Sequence, residues 1–216
     1  VSAAVKIDAA AWPFVAAAAL PAVAASWWSG PLALALLVLP LAIALFFRDP
    51  ARQVPADPSL VLAPADGVVM HAGPARPDEA PEGAWLQVTI FLSVLDVHIN
   101  RTPVPGRVTR VGYVPGSFRA AFRADAHRNE HSEIWLDHDG VVVVVRQVVG
   151  LLARRVVCRV SAGQVLAPGE RIGLMKFGSR MDVFVPVTAA LGVARGDRVR
   201  GGETVIARLA AEMANG

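Results

Sequence analysis

The 216-residue chain is short of several residue types, and each shortage removes a class of protein from consideration. It has one cysteine, Cys158, so no disulfide can form within the chain and no oxidising compartment is needed. The surrounding Arg154-Arg155-Val156-Val157-Cys158-Arg159-Val160 holds neither a histidine nor a glycine turn, so Cys158 reads as a buried strand thiol rather than a nucleophile. Aromatic residues make up 6%, and no basic run is interleaved with them, which argues against a nucleic-acid platform. The net charge of +3 is carried almost wholly by arginines scattered singly, a distribution suited to anionic lipid headgroups. Charge itself is missing from residues 14 to 47, whereas it recurs steadily from Arg48 onward.

That uncharged front holds two apolar stretches, Trp12 to Trp27 and Pro31 to Phe47, joined by the turn sequence Trp28-Ser29-Gly30-Pro31. Each falls somewhat short of the ~20 residues of a perpendicular span. Pro21 and Pro40 would kink either helix. The pattern predicts an α-helical membrane hairpin over residues 1–47, entering and leaving on the same face with tryptophans at the interface. Lys6, Arg48 and Arg52 flank it, and the positive-inside tendency places the remaining chain on the cytoplasmic face of the cell membrane. A cleaved signal peptide fits poorly, because the apolar region is long, doubled and not followed by a small-residue cleavage site.

Residues 48–64 are proline-rich (Pro50, Pro55, Pro58, Pro64) and read as a linker. Residues 65–216 alternate short β-branched runs with Gly, Pro and Asp punctuation. The runs are 67–71, 85–92, 107–114, 133–136, 141–148, 155–160, 171–177, 181–185 and 204–209, and only 118–126 hints at a helix. The expected fold is mostly β, a sandwich or barrel. A faint repeat, Gly163-Gln164-Val165-Leu166-Ala167-Pro168-Gly169-Glu170 and Gly196-Asp197-Arg198-Val199-Arg200-Gly201-Gly202-Glu203, suggests a barrel-sandwich hybrid element of the biotinyl/lipoyl kind.

Between those copies stands Leu174-Met175-Lys176-Phe177-Gly178-Ser179-Arg180-Met181-Asp182-Val183. A Gly-Ser pair between strands is ordinarily a turn. It also has a chemical reading. A serine after glycine can attack the preceding carbonyl, since glycine leaves the approach open and tolerates a strained backbone. The amide becomes an ester, β-elimination breaks the chain, and hydrolysis with loss of ammonia leaves an N-terminal pyruvoyl ketone, an electron sink made from the protein itself.

Phe177-Gly178-Ser179-Arg180, ahead of Met181-Asp182-Val183, resembles the self-cleavage site of phosphatidylserine decarboxylases. Ala63-Pro64-Ala65-Asp66-Gly67-Val68-Val69 is similar to the family's aspartate block, and Phe91-Leu92-Ser93-Val94-Leu95-Asp96-Val97-His98-Ile99-Asn100-Arg101-Thr102-Pro103 to its histidine block. Gly112-Tyr113-Val114-Pro115-Gly116-Ser117-Phe118 continues the likeness, which covers residues 48–210 and points to the compact branch of the family.

The resemblance implies a proenzyme that cuts itself between Gly178 and Ser179 into a β chain, 1–178, and an α chain, 179–216, which remain a heterodimer. It implies a covalent pyruvoyl cofactor derived from Ser179, a Schiff base with phosphatidylserine, and release of CO2 to give phosphatidylethanolamine. Ser179, His98 and Asp66 are the implied catalytic residues, with aspartate orienting imidazole and imidazole taking the serine proton. No metal or external cofactor is implied, and the partners are the serine phospholipid and an anionic membrane surface. The family's long form has a second histidine where this chain has Arg101, and arginine is no base at neutral pH. His127, His131 and His138 lie outside the matched blocks and read as surface or loop residues. The rival reading is a biotinyl/lipoyl-type carrier modified at Lys176, on the likeness of Met175-Lys176-Phe177 to a biotinylated Met-Lys-Met.

Overall fold

The computed structural model describes residues 5–151, 156–176 and 178–210; Arg154, Arg155 and Phe177 of the segments quoted above lie outside the described residues. The chain divides into two compact units, Val1–Ala51 and Arg52–Gly216.

In the first unit, strand β1 (Lys6–Ile7) pairs antiparallel with β2 (Arg48–Asp49), closing the ends of the apolar region on each other. A 3-10 turn, Ala9–Ala11, is capped by Asp8, whose carboxylate accepts from Ala10 N at 2.9 Å. Three helices follow: α1 (Trp12–Ala25), α2 (Gly30–Leu36) and α3 (Val38–Phe46). Ser29 caps α2 through its hydroxyl. The expected two-helix membrane hairpin is not what forms, and among the described residues no helix is long and apolar enough to cross a membrane. At 14 residues, α1 extends roughly 21 Å against the ~30 Å of a hydrocarbon core. The second stretch breaks at Leu37, because Pro40 has no N–H to give to the Leu36 carbonyl that a continuous helix would present to it.

The second unit carries strands β3 (Leu60–Leu62), β4 (Gly67–Pro74), β5 (Trp85–Leu92), β6 (Ile99–Arg101), β7 (Gly106–Val114), β8 (His131–His138), β9 (Val141–Val148), β10 (Val157–Cys158), β11 (Val165–Leu166), β12 (Arg171–Leu174), β13 (Ser179–Pro186), β14 (Ala190–Leu191), β15 (Arg198–Val199) and β16 (Val205–Arg208). Eight of them make one antiparallel sheet in the order β11-β7-β8-β9-β13-β5-β4-β15. Two three-stranded sheets, β10-β12-β6 and β14-β16-β3, accompany it.

The expected class is therefore corrected: with three helices among the described residues of one unit and an open sheet in the other, the chain is mixed α/β, not a mostly-β sandwich or barrel with a carrier-like hybrid. The repeat is present, but its copies do not close on each other. Each contributes a two-residue strand, β11 or β15, to opposite edges of the large sheet, then passes into a different small sheet through β12 or β16. Residues 118–126 form no α-helix; a 3-10 turn, Ala124–Arg128, takes their place.

Alternation along the central strands sorts the two faces of the sheet. Val88, Ile90 and Leu92 of β5, Met181, Val183 and Val185 of β13, and Val143 and Val145 of β9 belong to one hydrophobic core. Their neighbours Gln87, Thr89, Arg180, Asp182 and Arg146 are buried on the other face, so that face must satisfy itself by internal hydrogen bonds.

Candidate active site around the Gly178–Ser179 bond

Met175 to Gly178 link β12 to β13, which lie in different sheets, so the segment is a crossing rather than a hairpin turn. Gly178 has φ +67, in the left-handed region where a Cβ is disfavoured. Ser179 opens β13 opposite Leu92, the last residue of β5. Strand parity puts its side chain on the core face with Met181 and Val183. It has no solvent exposure, and its hydroxyl makes no hydrogen bond among the described residues. Leaving a buried hydroxyl unpaired costs about 1–3 kcal/mol. A turn serine would give its hydroxyl to nearby backbone; this one makes no such bond among the described residues.

His98 lies in the loop from β5 to β6 and is buried. Its Nδ1 stands 2.9 Å from the Asp96 carbonyl oxygen. A carbonyl only accepts, so Nδ1 carries the proton and Nε2 holds the lone pair in the neutral ring. The Asp96 carboxylate in turn accepts from Ser93 N at 2.8 Å and Ser93 Oγ at 2.7 Å, fixing the loop. The His98 carbonyl accepts from Met175 N at 3.2 Å, tying the histidine to the start of the segment that ends at Ser179.

Asp66 immediately precedes β4 and is engaged elsewhere. Arg52 Nη2 donates to its two oxygens at 2.8 and 2.9 Å, and Gly201 N donates to Oδ1 at 2.8 Å. Topology gathers the three expected residues at one end of the sheet, since β4 and β13 both flank β5 and His98 follows from the end of β5. Asp66 gives its carboxylate to Arg52 and Gly201, and the Asp96 carbonyl takes up the orienting position at His98 Nδ1 expected of Asp66. Arg101 is buried, takes the Pro64 carbonyl with its N–H at 2.8 Å and gives Nη1 to the Gly169 carbonyl at 3.1 Å. Its position is one of packing and backbone support, not proton transfer.

Of the other histidines, His131 and His138 are corrected from surface or loop to buried residues at the two ends of β8. Burial pushes the His131 imidazole below its ordinary value, and Arg146 adds to this. Cys158 lies half-buried in β10, and burial pushes its thiol up, away from reactivity. Lys176, the residue of the carrier reading, is half-buried.

Spacing and periodicity carry little warning of the polar network behind Ser179. Arg180 Nε donates to Asp182 Oδ1 at 2.9 Å, and Arg180 also pairs with Glu79. Thr89 Oγ1 donates to Asp182 at 2.7 Å. Burial alone would push the Asp182 carboxyl up, but the adjacent Arg180 charge outweighs it and holds the group below the usual carboxylate range. A cleft of about 520 Å³ opens on this face, lined in part by Glu79, Phe122, His127 and Arg180, and so lies on the side of β13 opposite the Ser179 hydroxyl. Nor does spacing reveal the fully buried amide pair in which Gln147 Nε2 donates to Asn100 Oδ1 at 2.8 Å.

Fold and site together define a chain whose candidate nucleophile sits within its own backbone, behind a left-handed glycine. A family profile described as phosphatidylserine decarboxylase matches residues 39–207. The phosphatidylserine decarboxylase proenzyme of Symbiobacterium thermophilum is 46% identical over 200 residues, covering 92% of this chain and 93% of that protein. That of Geotalea uraniireducens is 42% identical over 208 residues, 93% and 95% of the two chains. That of Chlorobium chlorochromatii is 44% identical over 165 residues, 76% and 77%. The chain belongs to the phosphatidylserine decarboxylase family.

Proposed function

We propose that this chain is a self-cleaving proenzyme that breaks the Gly178–Ser179 bond and then decarboxylates phosphatidylserine to phosphatidylethanolamine, a lyase step of phospholipid biosynthesis. The observation that carries the position of the cut is the buried Ser179 hydroxyl, without a partner among the described residues, directly behind a left-handed glycine.

His98 Nε2 takes the proton from Ser179 Oγ, with the Asp96 carbonyl holding the tautomer that makes this possible. Oγ bonds to the Gly178 carbonyl carbon, and the carbon–nitrogen bond breaks as the nitrogen is protonated. Loss of the Ser179 α-proton and of the Gly178 carboxylate then severs the chain into residues 1–178 and 179–216. Asp66 contributes as the third member of the constellation from the start of β4, its charge balanced by Arg52. The dehydroalanine left behind tautomerises to an imine, water adds and ammonia leaves, so the ketone stands at the former Ser179 Cα and the side-chain carbon becomes a methyl. The site fits that side-chain change, because the departing hydroxyl makes no hydrogen bond among the described residues. The pyruvoyl ketone supplies an electron sink for carboxylate loss. His98 then returns a proton to the carbon that lost CO2.

A phospholipid substrate places the enzyme at a membrane. Trp27 (79% exposed), Trp28 (81%) and Leu34 (69%) of the helical unit are apolar side chains suited to the interface. Lys6 and Arg48 flank that unit with positive charge and suit the anionic lipids of a cytoplasmic leaflet.

Intact mass of the purified protein tests the reading, with and without borohydride in the presence of phosphatidylserine. Two fragments divided at 178/179, the smaller lacking its α-amine and gaining substrate mass on reduction, are expected. Active protein consisting of one unbroken polypeptide with serine at 179 would overturn it.

A further inference from the structure

Two glycines meet at the bond that breaks, for different reasons. A Cβ built on Gly178 would touch nothing within 4 Å, so glycine is required there by its φ of +67 and not by space. Gly150 is the reverse case. Its φ is not positive, so its backbone suits any residue, yet a Cβ built on it would fall well inside the van der Waals radius of the Gly178 carbonyl oxygen. The Gly178 carbonyl carbon is the next atom, at 3.0 Å, and the Ala121 methyl at 3.5 Å is in ordinary contact. A backbone oxygen cannot swing aside as a long side chain can.

We propose that Gly150 is a positioning residue for self-cleavage: the space left by its missing side chain seats the Gly178 carbonyl oxygen. The inference rests on Gly178–Ser179 being the bond cut. Val148 pairs with Arg180, and Val149 N donates to the Glu130 carbonyl at 3.1 Å, so the backbone bearing Gly150 is held alongside the crossing segment. When Ser179 Oγ bonds to the carbonyl carbon, an electron pair moves onto this oxygen and the carbon becomes tetrahedral. With the oxygen backed against Gly150, the plane of the peptide is set and one face of the carbon is presented to the hydroxyl. A methyl at 150 would turn that plane. Misplacement by about 1 Å can cost on the order of 100-fold in rate.

Five chains test this: the unaltered protein, Gly150→Ala, Gly150→Ala with Ala121→Gly, Ser179→Ala, and Gly150→Ala with Ser179→Ala. The half-time of splitting is followed by mass, and hydroxylamine is added to reveal any ester at 178/179. The unaltered chain splits; Gly150→Ala is expected to split about 100-fold more slowly, with no hydroxylamine-sensitive ester. The Ala121→Gly companion relieves packing but not the oxygen, so splitting stays slow. In the Ser179→Ala background, Gly150→Ala is expected to keep a cooperative melt, at a lower midpoint than Ser179→Ala alone because backbone must shift to admit the methyl. Normal splitting of Gly150→Ala, an accumulated ester, rescue by Ala121→Gly, or collapse of the melt would each overturn the proposal. An unaltered chain that never splits would instead overturn the reading of the bond itself.

Discussion

Arg180 holds Asp182 with two nitrogens, Nε at 2.9 Å from Oδ1 and Nη2 at 2.9 Å from Oδ2, on the face of β13 turned away from the core. The side chains of both are nearly or wholly inaccessible, at 2% and 0%. The residue after Ser179 is thus anchored by charge, while the Ser179 hydroxyl, beside the proposed cut, makes no hydrogen bond among the described residues.

Removing Asp182 leaves Arg180 charged and buried but still paired with Glu79. Asp182→Ala is therefore expected to lower stability by less than the cost of an uncompensated buried charge, about 3–5 kcal/mol, measured by urea unfolding in a Ser179→Ala background where cleavage cannot intervene. The native carboxyl is held low, so the stability it contributes is complete above its unfolded value of 3.8 and is lost as pH falls through the lower folded value. Asp182→Ala flattens that acid limb.

His98→Asn keeps a donor near the Asp96 carbonyl and removes the proposed base. Splitting is expected to slow by about 10²- to 10⁴-fold, the usual contribution of a general base, with the uncut chain still folded. Gel densitometry against time reads this directly, and a normal rate would assign the proton transfer to another group.

Gly178→Ala places a Cβ in the left-handed region, at a cost of about 1–2 kcal/mol. Both a lower melting midpoint of the uncut chain and slower splitting are expected. If the Gly178→Ala variant cleaves and melts as the unaltered protein does, the conformation at φ +67 is not needed.

His131 predicts a distinct pH response. Its folded value lies below the ordinary 6.5 because it is buried, so the unfolded chain takes up the proton first as pH falls. Stability is full above 6.5 and declines as pH drops through it toward the folded value. Urea midpoints of Ser179→Ala taken between about pH 7.5 and about pH 5.5 should fall, and His131→Gln should reduce the fall.

Several strands were legible from periodicity because their burial is one-sided or complete: β5 and β9 lie where the runs 85–92 and 141–148 place them. β6 was not, because Ile99, Asn100 and Arg101 are all buried and so show no alternation. The three helices were read as two because the apolar count does not register that Pro40 withdraws the donor Leu36 would need. At the site, the quoted blocks named Ser179, His98 and Asp66 but not their bonding. Asp66 commits its carboxylate to Arg52, and His98 turns to a main-chain oxygen, a partner invisible to any motif of side chains. Gly150 carried no signal because its requirement is a carbonyl distant in sequence.

The place of β13 in the middle of the large sheet has a consequence for the cut molecule. Beyond the break, β13 lies between β9 and β5, β15 is bonded to β4, and β16 to β3, so the short fragment is laced into two separate sheets by strands of the long one. Severing the backbone leaves those ladders intact, and the pieces separate only when both sheets come apart. Unfolding then becomes a dissociation: the melting midpoint of the nicked enzyme rises with protein concentration, while that of the uncut chain does not.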